Sequence, residues 1–273
     1  MTEIKPTIKW LGGKRQLMEE LVNRMPSSYG RYYEPFVGGG ALLFKLQPDG
    51  ALINDENKQL INMYIQIRDN VEELILKVNE YDAVLCDVDY FKSLRSRYNE
   101  KILKNELDVE CGALFIWLNK HLFNGSYKLN KKGLLSQSYN YRTHGSSIVE
   151  DNLRAMSQYL KYVTICSEDF EVVCSTVKSG DFVYFDPPYL SDAEHKIFNR
   201  YTKDGFSFDD QKRLVRLVHR LTELGAKVII SNSDIPMIHE LYKDFRIDTV
   251  NVRRAVNGDA KHRTGTEVII RNY

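Results

Sequence analysis

The eight residues Phe182-Val183-Tyr184-Phe185-Asp186-Pro187-Pro188-Tyr189 carry the reading of this chain. The first four form a strand, which breaks into a carboxylate, two prolines and an aromatic ring. Proline fixes its own φ and lacks a backbone donor, so two in a row make a stiff corner. Ligands of α/β sheets bind beyond the carboxyl ends of the strands, which is where this corner lies. Asp186 can accept one hydrogen bond from an exocyclic amine, the carbonyl of Pro187 the other, and Tyr189 can stack on the base that carries the amine. Those contacts suit an adenine amine whose lone pair is turned out of conjugation, towards an incoming methyl group. Stacking needs only the ring, so Tyr189→Phe is expected to be mild. The plainer alternative is an Asp-initiated proline turn closing a strand.

Outward from the corner, strands alternate with helices. Residues 31–36, 51–53, 162–166, 182–185, 227–230, 247–252 and 267–271 read as strands. Leu17, Leu21 and Met25 recur at spacing four and predict a helix over 16–25, ended by Pro26. A longer helix is expected over 209–224, with Ser207 and Asp210 as a capping box and Gly225 at its C-cap. The alternation predicts an α/β layered fold. From residue 56 to about 125 Gly and Pro become scarce, and helical patterns such as Leu60/Ile61/Tyr64/Ile65 and Leu114/Trp117/Leu118 take over. That block reads as an insertion between two halves of the α/β part.

Two further motifs point to a ligand. Glu34-Pro35-Phe36-Val37-Gly38-Gly39-Gly40 follows the first strand, where a glycine turn lets the backbone approach a ligand and aims helix N–H groups at it. Asp55 comes 15 residues after Gly40, at the end of the next strand, where an acid can accept hydrogen bonds from ribose hydroxyls. The turn alone could be merely tight; with Asp55 it fits a nucleoside cofactor, a dinucleotide or S-adenosylmethionine. Lys9-Trp10-Leu11-Gly12-Gly13-Lys14 sets two glycines between cations, which suits a carboxylate clamp or a basic turn capping a helix.

Composition narrows the class. The chain has 273 residues, 43% hydrophobic and 27% charged, with a net charge of +1, ordinary for a soluble globular protein. No apolar run approaches the ~20 residues that span a bilayer, and no signal peptide is evident at residues 1–6, so a cytoplasmic location is expected. Cys86, Cys111, Cys166 and Cys174 lie 25, 55 and 8 residues apart, which supports neither a zinc site nor a redox dithiol. Between Cys111 and Val149 there is no acid at all, although 37 acids in 273 residues would place about five there. The same window holds Lys120, Lys128, Lys131, Lys132, Arg142, Tyr127, Tyr139 and Tyr141, which fits either a nucleic-acid surface or a solvated face.

In order and spacing, Lys9-Trp10…Gly13-Lys14, Glu34-Pro35-Phe36…Gly40, Asn54-Asp55, Phe123-Asn124-Gly125, Asp186-Pro187-Pro188-Tyr189 and Glu267-Val268-Ile269-Ile270 closely resemble the Dam family of DNA adenine-N6 methyltransferases, over nearly the whole chain. The resemblance implies a Rossmann-like α/β methyltransferase sheet of seven strands, the last pair including an antiparallel one. It implies a catalytic domain of residues 1–56 and 148–273 and an inserted, mostly helical target-recognition domain, 57–147, carrying a β-hairpin. The implied cofactor is S-adenosyl-L-methionine. Trp10, Lys14 and Asp55 are expected to touch it, with Pro35, Phe36, Gly38, Gly39 and Gly40 forming its turn. Asp169 and Phe170 are expected to hold its adenine, and Asp186 to sit between it and the target base. Asp186, Pro187 and Tyr189 are then the catalytic residues.

On the DNA side the resemblance implies contacts from Lys9, Asn124, Ser126, Tyr127, Lys128 and Arg142. The family's hairpin pattern Asn-Gly-Leu-x-Arg reads Asn124-Gly125-Ser126-Tyr127-Lys128 here, so the intercalating Leu is Ser126 and the guanine-reading Arg is Lys128. The later Phe-Asn-Val-Pro element is replaced by Leu135-Ser136-Gln137-Ser138. Lysine is a point donor where the arginine fork is bidentate. GATC or a GATC-like site with relaxed flanks is therefore expected, unless Tyr127, Tyr139, Tyr141 or Arg142 reads a different, strict site. The loop Arg253-Arg254…Lys261-His262-Arg263 would contact phosphates or stay solvated. The expected activity is methyl transfer to a flipped adenine in double-stranded DNA, by a monomer without metal. Cytosine-N4 methylation, another amine substrate such as ribosomal RNA adenine or a protein glutamine, and a silent DNA-binding module are the competing readings.

Overall fold

The structure is a computed structural model that describes residues 3–10, 12, 14, 17–189, 206–253 and 264–273. Its strands are β1 (Tyr32–Glu34), β2 (Leu52–Asn54), β3 (Thr164–Cys166), β4 (Phe182–Phe185), β5 (Lys227–Ser233), β6 (Arg246–Arg253) and β7 (Thr264–Arg271), in the sheet order β3-β2-β1-β4-β5-β7-β6. The pairs β1–β4, β2–β3 and β4–β5 are parallel, whereas β7 runs antiparallel to both β5 and β6. All four residues of β4 are buried, as a strand paired on both sides and covered on both faces requires. The α/β class and the antiparallel strand near the end agree with the sequence expectation. The expected strand over 227–230 runs on to Ser233, because β7 pairs with Ser231, Asn232 and Ser233 beyond the reach of β4.

By contacts the chain divides into two compact units, Met1–Gly13 with Val37–Glu168 and Lys14–Phe36 with Asp169–Tyr273. The first unit holds β2, β3 and the helices α2 (Ala41–Leu46), α3 (Lys58–Asp69), α4 (Val71–Asp82), α5 (Val88–Lys104), α6 (Val109–His121) and α7 (Glu150–Leu160). Helix α6 is buried continuously from Cys111 to Asn119, and α3, α4 and α5 surround it. A helix apolar all round has to lie inside. Asn57, Asp87 and Asp108 cap α3, α5 and α6 by accepting from the N–H groups of Leu60, Tyr90 and Cys111.

After α6 the expected hairpin is present as two isolated antiparallel bridges, Leu122 with Tyr139 and Leu129 with Leu135, not as a continuous ladder. Its tip is Asn130-Lys131-Lys132-Gly133: Asn130 N–H donates to the Leu134 carbonyl (2.8 Å), and Gly133 takes a φ of 72° that suits glycine.

The second unit holds β1, β4 to β7 and the helices α1 (Met18–Val22), α8 (Phe170–Cys174), α9 (Phe208–Leu224) and α10 (Pro236–Leu241). Helix α1 is shorter than the expected 16–25, because no side chain caps its first turn and its carboxyl end passes into turns before Pro26. The long helix α9 has the expected start and stop, a Ser207–Asp210 capping box and Gly225 at φ 86°. No helix among the described residues is long and apolar enough to cross a membrane. Among them no group of three or more His, Cys, Asp and Glu could hold a metal, and all four cysteines are free.

Candidate active site

In the second unit, the chain leaves β4 and turns at once into Asp186. One Asp186 oxygen meets the Lys14 ammonium at 2.9 Å and accepts from the Ser231 hydroxyl at 2.8 Å. Ser231 lies on β5, fully buried, and its hydroxyl also meets that of Tyr184 at 2.9 Å. The Lys14 side chain is 5% exposed and that of Asp186 21%, so the pair is largely desolvated. Burial pushes the Asp186 carboxyl above its ordinary value, and the charge of Lys14, its hydrogen bond and the bond from Ser231 oppose that rise. The same ammonium stands over the Tyr189 ring, 4.4 Å from its centroid. The Tyr189 hydroxyl is engaged as well: it donates to Glu267 Oε2 on β7 at 2.9 Å. Pro187 is buried and Pro188 exposed. Lys14 is thus found on the carboxylate and ring of the corner.

In the first unit, Asp55 follows β2 as Asp186 follows β4. Its two oxygens accept from the backbone N–H groups of Gly38 (3.1 Å) and Asn57 (3.0 Å). Burial raises its carboxyl to about 6, against the lowering effect of those two bonds. A carboxylate oxygen accepts more than one bond, so both keep capacity for hydroxyl donors. The glycines of the turn have reasons of their own. Gly38 takes a φ of +47°, and a Cβ there would lie 2.6 Å from the Trp10 ring. At Gly40, φ +69°, a Cβ would lie 2.8 Å from Phe44 and 3.0 Å from the Tyr64 hydroxyl. Trp10 lies on the turn and stacks on Tyr127, with 5.8 Å between ring centroids.

Of the remaining cofactor residues, Pro35 is buried, and Phe36 is half-buried against Phe170, Phe185 and Phe206. Phe170 is 2% exposed, with the Arg213 guanidinium 4.8 Å from its ring centroid. Asp169 caps α8 and takes two 2.8 Å hydrogen bonds from Arg213. Arg213 is the residue the motifs missed: it lies 44 positions away, on another helix.

The expected DNA contacts separate into two groups. Lys9, Asn124 and Lys128 are exposed. Lys9 is fixed by Asn119, buried in α6, which accepts from its N–H and donates to its carbonyl, both at 2.8 Å. Its side chain lies on Gly125, where a Cβ would come within 2.7 Å. Ser126 and Tyr127 instead turn inward. Ser126 is 6% exposed, and Tyr127 packs against both Trp10 and Phe115 with its hydroxyl 2.8 Å from that of Tyr98. Arg142 braces its own loop by donating to the carbonyls of His144 and Ser146. Lys131, Lys132 and Phe123 are exposed too, the last at 54%. The basic loop 253–263 lies outside the described residues, Arg253 backbone excepted.

The model of the D12 class of N6 adenine-specific DNA methyltransferases matches residues 10–256. This chain belongs to that family. It is an enzyme, an adenine-specific DNA methyltransferase. Among its relatives, the type II methyltransferase M1.LlaDCHI of Lactococcus lactis subsp. cremoris is 38% identical over 274 residues, covering 99% of this chain and 96% of the relative. The type II methyltransferase M.MjaIII of Methanocaldococcus jannaschii is 35% identical over 290 residues, covering 99% and 100%. The DNA adenine methylase of Serratia marcescens is 26% identical over 275 residues and covered in full on both sides.

Proposed function

We propose that this enzyme moves a methyl group from S-adenosylmethionine to the N6 amine of an adenine flipped out of double-stranded DNA, within GATC or a GATC-like site. The observation that carries the reading is the Lys14 ammonium, held at once by Asp186 and by the face of Tyr189. A nitrogen bearing hydrogens is what this corner binds, by a carboxylate and a ring. The target amine takes the place that Lys14 holds, donating to Asp186 and to the Pro187 carbonyl while its base stacks on Tyr189. Lys14 then turns to the cofactor's carboxylate.

S-adenosylmethionine supplies an electrophilic methyl group. Asp55, whose oxygens keep lone pairs, accepts from its ribose hydroxyls, and Trp10, Pro35, Phe36 and Gly38–Gly40 line its turn. Asp169 and Phe170 are assigned to its adenine. At the reacting nitrogen, the N–C bond would form as the C–S bond breaks, the cofactor would leave as its neutral thioether, and the proton of the amine would pass to water. Asp186 holds the amine in line and stabilises the positive charge that develops on it, so catalysis is positioning and electrostatics with no covalent enzyme intermediate.

Residues 57–147 are proposed as the DNA-recognising insertion, with Lys9, Asn124, Lys128, Lys131 and Lys132 towards the backbone and bases and Phe123 as the exposed apolar side chain beside them. With Ser126 inside, its hydroxyl reads no base. Sequencing of plasmid DNA methylated by the enzyme, with reads sensitive to modification, reports base, position and motif together. N6-methyladenine in GATC-like sites is the expected result. Methylated cytosine, or a single strict motif unaffected by Lys128→Ala, would overturn the assignment of base or of readout respectively.

A further inference from the structure

We infer that Glu267 is a positioning residue for methyl transfer, acting through the hydroxyl of Tyr189; the inference rests on the proposed role of Tyr189 as the platform for the flipped base. The corner after β4 is braced by side chains from two other strands. Ser231 on β5 holds Asp186, and Glu267 on β7 holds Tyr189. Glu267 pairs in register with Ser233, two residues beyond Ser231, so the antiparallel entry of β7 brings a carboxylate to the sheet end where the corner lies. Glu267 is half-buried and its carboxylate accepts the Tyr189 hydroxyl at 2.9 Å. Burial, with the nearby charges of Asp186 and Glu267, raises the phenol far above its ordinary value, so Tyr189 stays a donor at every working pH.

A tyrosine tethered at its hydroxyl has a fixed ring plane, whereas an untethered ring can tilt about its χ angles. Misplacement by about 1 Å can cost on the order of 100-fold in rate when the geometry must be near attack. The hydroxyl therefore matters, and the mild effect expected for Tyr189→Phe gives way to a measurable one. A hydrogen bond to a charged group sets its scale at about 10-fold.

The test is a double-mutant cycle on the full chain, read by single-turnover methylation of a duplex and by the fluorescence of 2-aminopurine at the target position. Tyr189→Phe and Glu267→Ala should each lower the single-turnover rate about 10-fold and the fluorescence of the flipped base, with the KM for S-adenosylmethionine nearly unchanged. The double variant should be no slower than either single one, because both remove the same bond. Glu267→Gln, which keeps an acceptor, should recover most of the rate. Multiplied losses in the double variant, or a wild-type rate in Glu267→Ala, overturn the inference. If Glu267→Ala does not fold, Glu267→Leu, which fills the space without an acceptor, takes its place in the cycle, and multiplied losses with Tyr189→Phe or a wild-type rate in Glu267→Leu overturn the inference equally. Base analysis of the wild-type product tests the underlying reading separately: no N6-methyladenine defeats that reading, whereas additive losses in an enzyme that does make it defeat only the role of Glu267.

Discussion

Asp55 and Asp186 each follow directly on a parallel strand, and burial raises both carboxyls, yet they are held differently. Asp55 is held by two backbone N–H groups, those of Gly38 and Asn57. Asp186 is held by two side chains, the ammonium of Lys14 and the hydroxyl of Ser231. A backbone donor cannot swing away without moving the chain, whereas a lysine can rotate through four bonds. Asp55 is therefore built as a permanent acceptor and Asp186 as one whose partner can be exchanged. In the proposed reading the first arrangement serves the cofactor's ribose, which adds bonds without displacing any, and the second serves the target amine, which takes the place of Lys14.

The largest test of this contrast is at Asp186. Asp186→Ala should lower the methylation rate by ~10²–10³, the usual loss for a positioned group in a desolvated site, with the fold intact by circular dichroism. Near wild-type turnover would remove Asp186 from the reaction centre. Asp55→Ala should instead weaken S-adenosylmethionine binding by about 10-fold or more, the scale of hydrogen bonds to a charged acceptor, and leave the affinity for unmethylated DNA nearly unchanged. Titration calorimetry reads the first and a gel shift the second; a loss of DNA binding equal to that of cofactor binding would erase the distinction.

Burial raises the Asp55 carboxyl from 3.8 to about 6, so the folded protein holds that proton more tightly than the unfolded chain does. Its share of folding stability is therefore present below pH 3.8 and lost as the pH rises through about 6. Ligand binding runs the other way, because only the carboxylate accepts two hydroxyls. Affinity for S-adenosylmethionine should fall as the pH drops through about 6 in the wild type and stay level in Asp55→Asn. A level wild-type profile would show that the ionised form is not needed. At Asp186, Lys14→Met removes the cation that opposes burial in the free enzyme, so the carboxyl rises further there and the acid limb of kcat/KM at limiting cofactor should move to higher pH. An unmoved limb would mean that Lys14 does not set the charge of Asp186.

The smallest expected effect lies away from both acids. DNA affinity should fall with salt, by ~0.9 in the log–log slope for each phosphate neutralised, so Lys131→Ala with Lys132→Ala should reduce the slope by up to about 2. An unchanged slope would take the hairpin tip off the DNA.

Much of the fold and of the site was legible because it is local. Four apolar residues and a proline corner specify β4 and the turn at its carboxyl end. Three glycines specify a turn with positive φ, and Ser207 with Asp210 specifies the start of α9, each within eight residues of chain. The hairpin was harder. A basic, acid-free stretch reads as one surface, yet Ser126 and Tyr127 turn inward, because Trp10 and Phe115 offer Tyr127 an aromatic pocket and its hydroxyl finds Tyr98. Trp10 and Tyr127 are 117 residues apart, and no local pattern in the sequence joins them.

The α/β class, the strand-end acids Asp55 and Asp186, the glycine turn and the resemblance to adenine methyltransferases can all be read along the chain, since each rests on residue types at short, fixed spacing. The partners of those residues come from folding alone: Lys14 and Ser231 on Asp186, Glu267 on Tyr189, Arg213 on Asp169, and the inward turn of Ser126. Such partners are set by sheet register and helix packing, which bring together side chains dozens of positions apart, and a hydrogen bond between them leaves no periodicity along the chain.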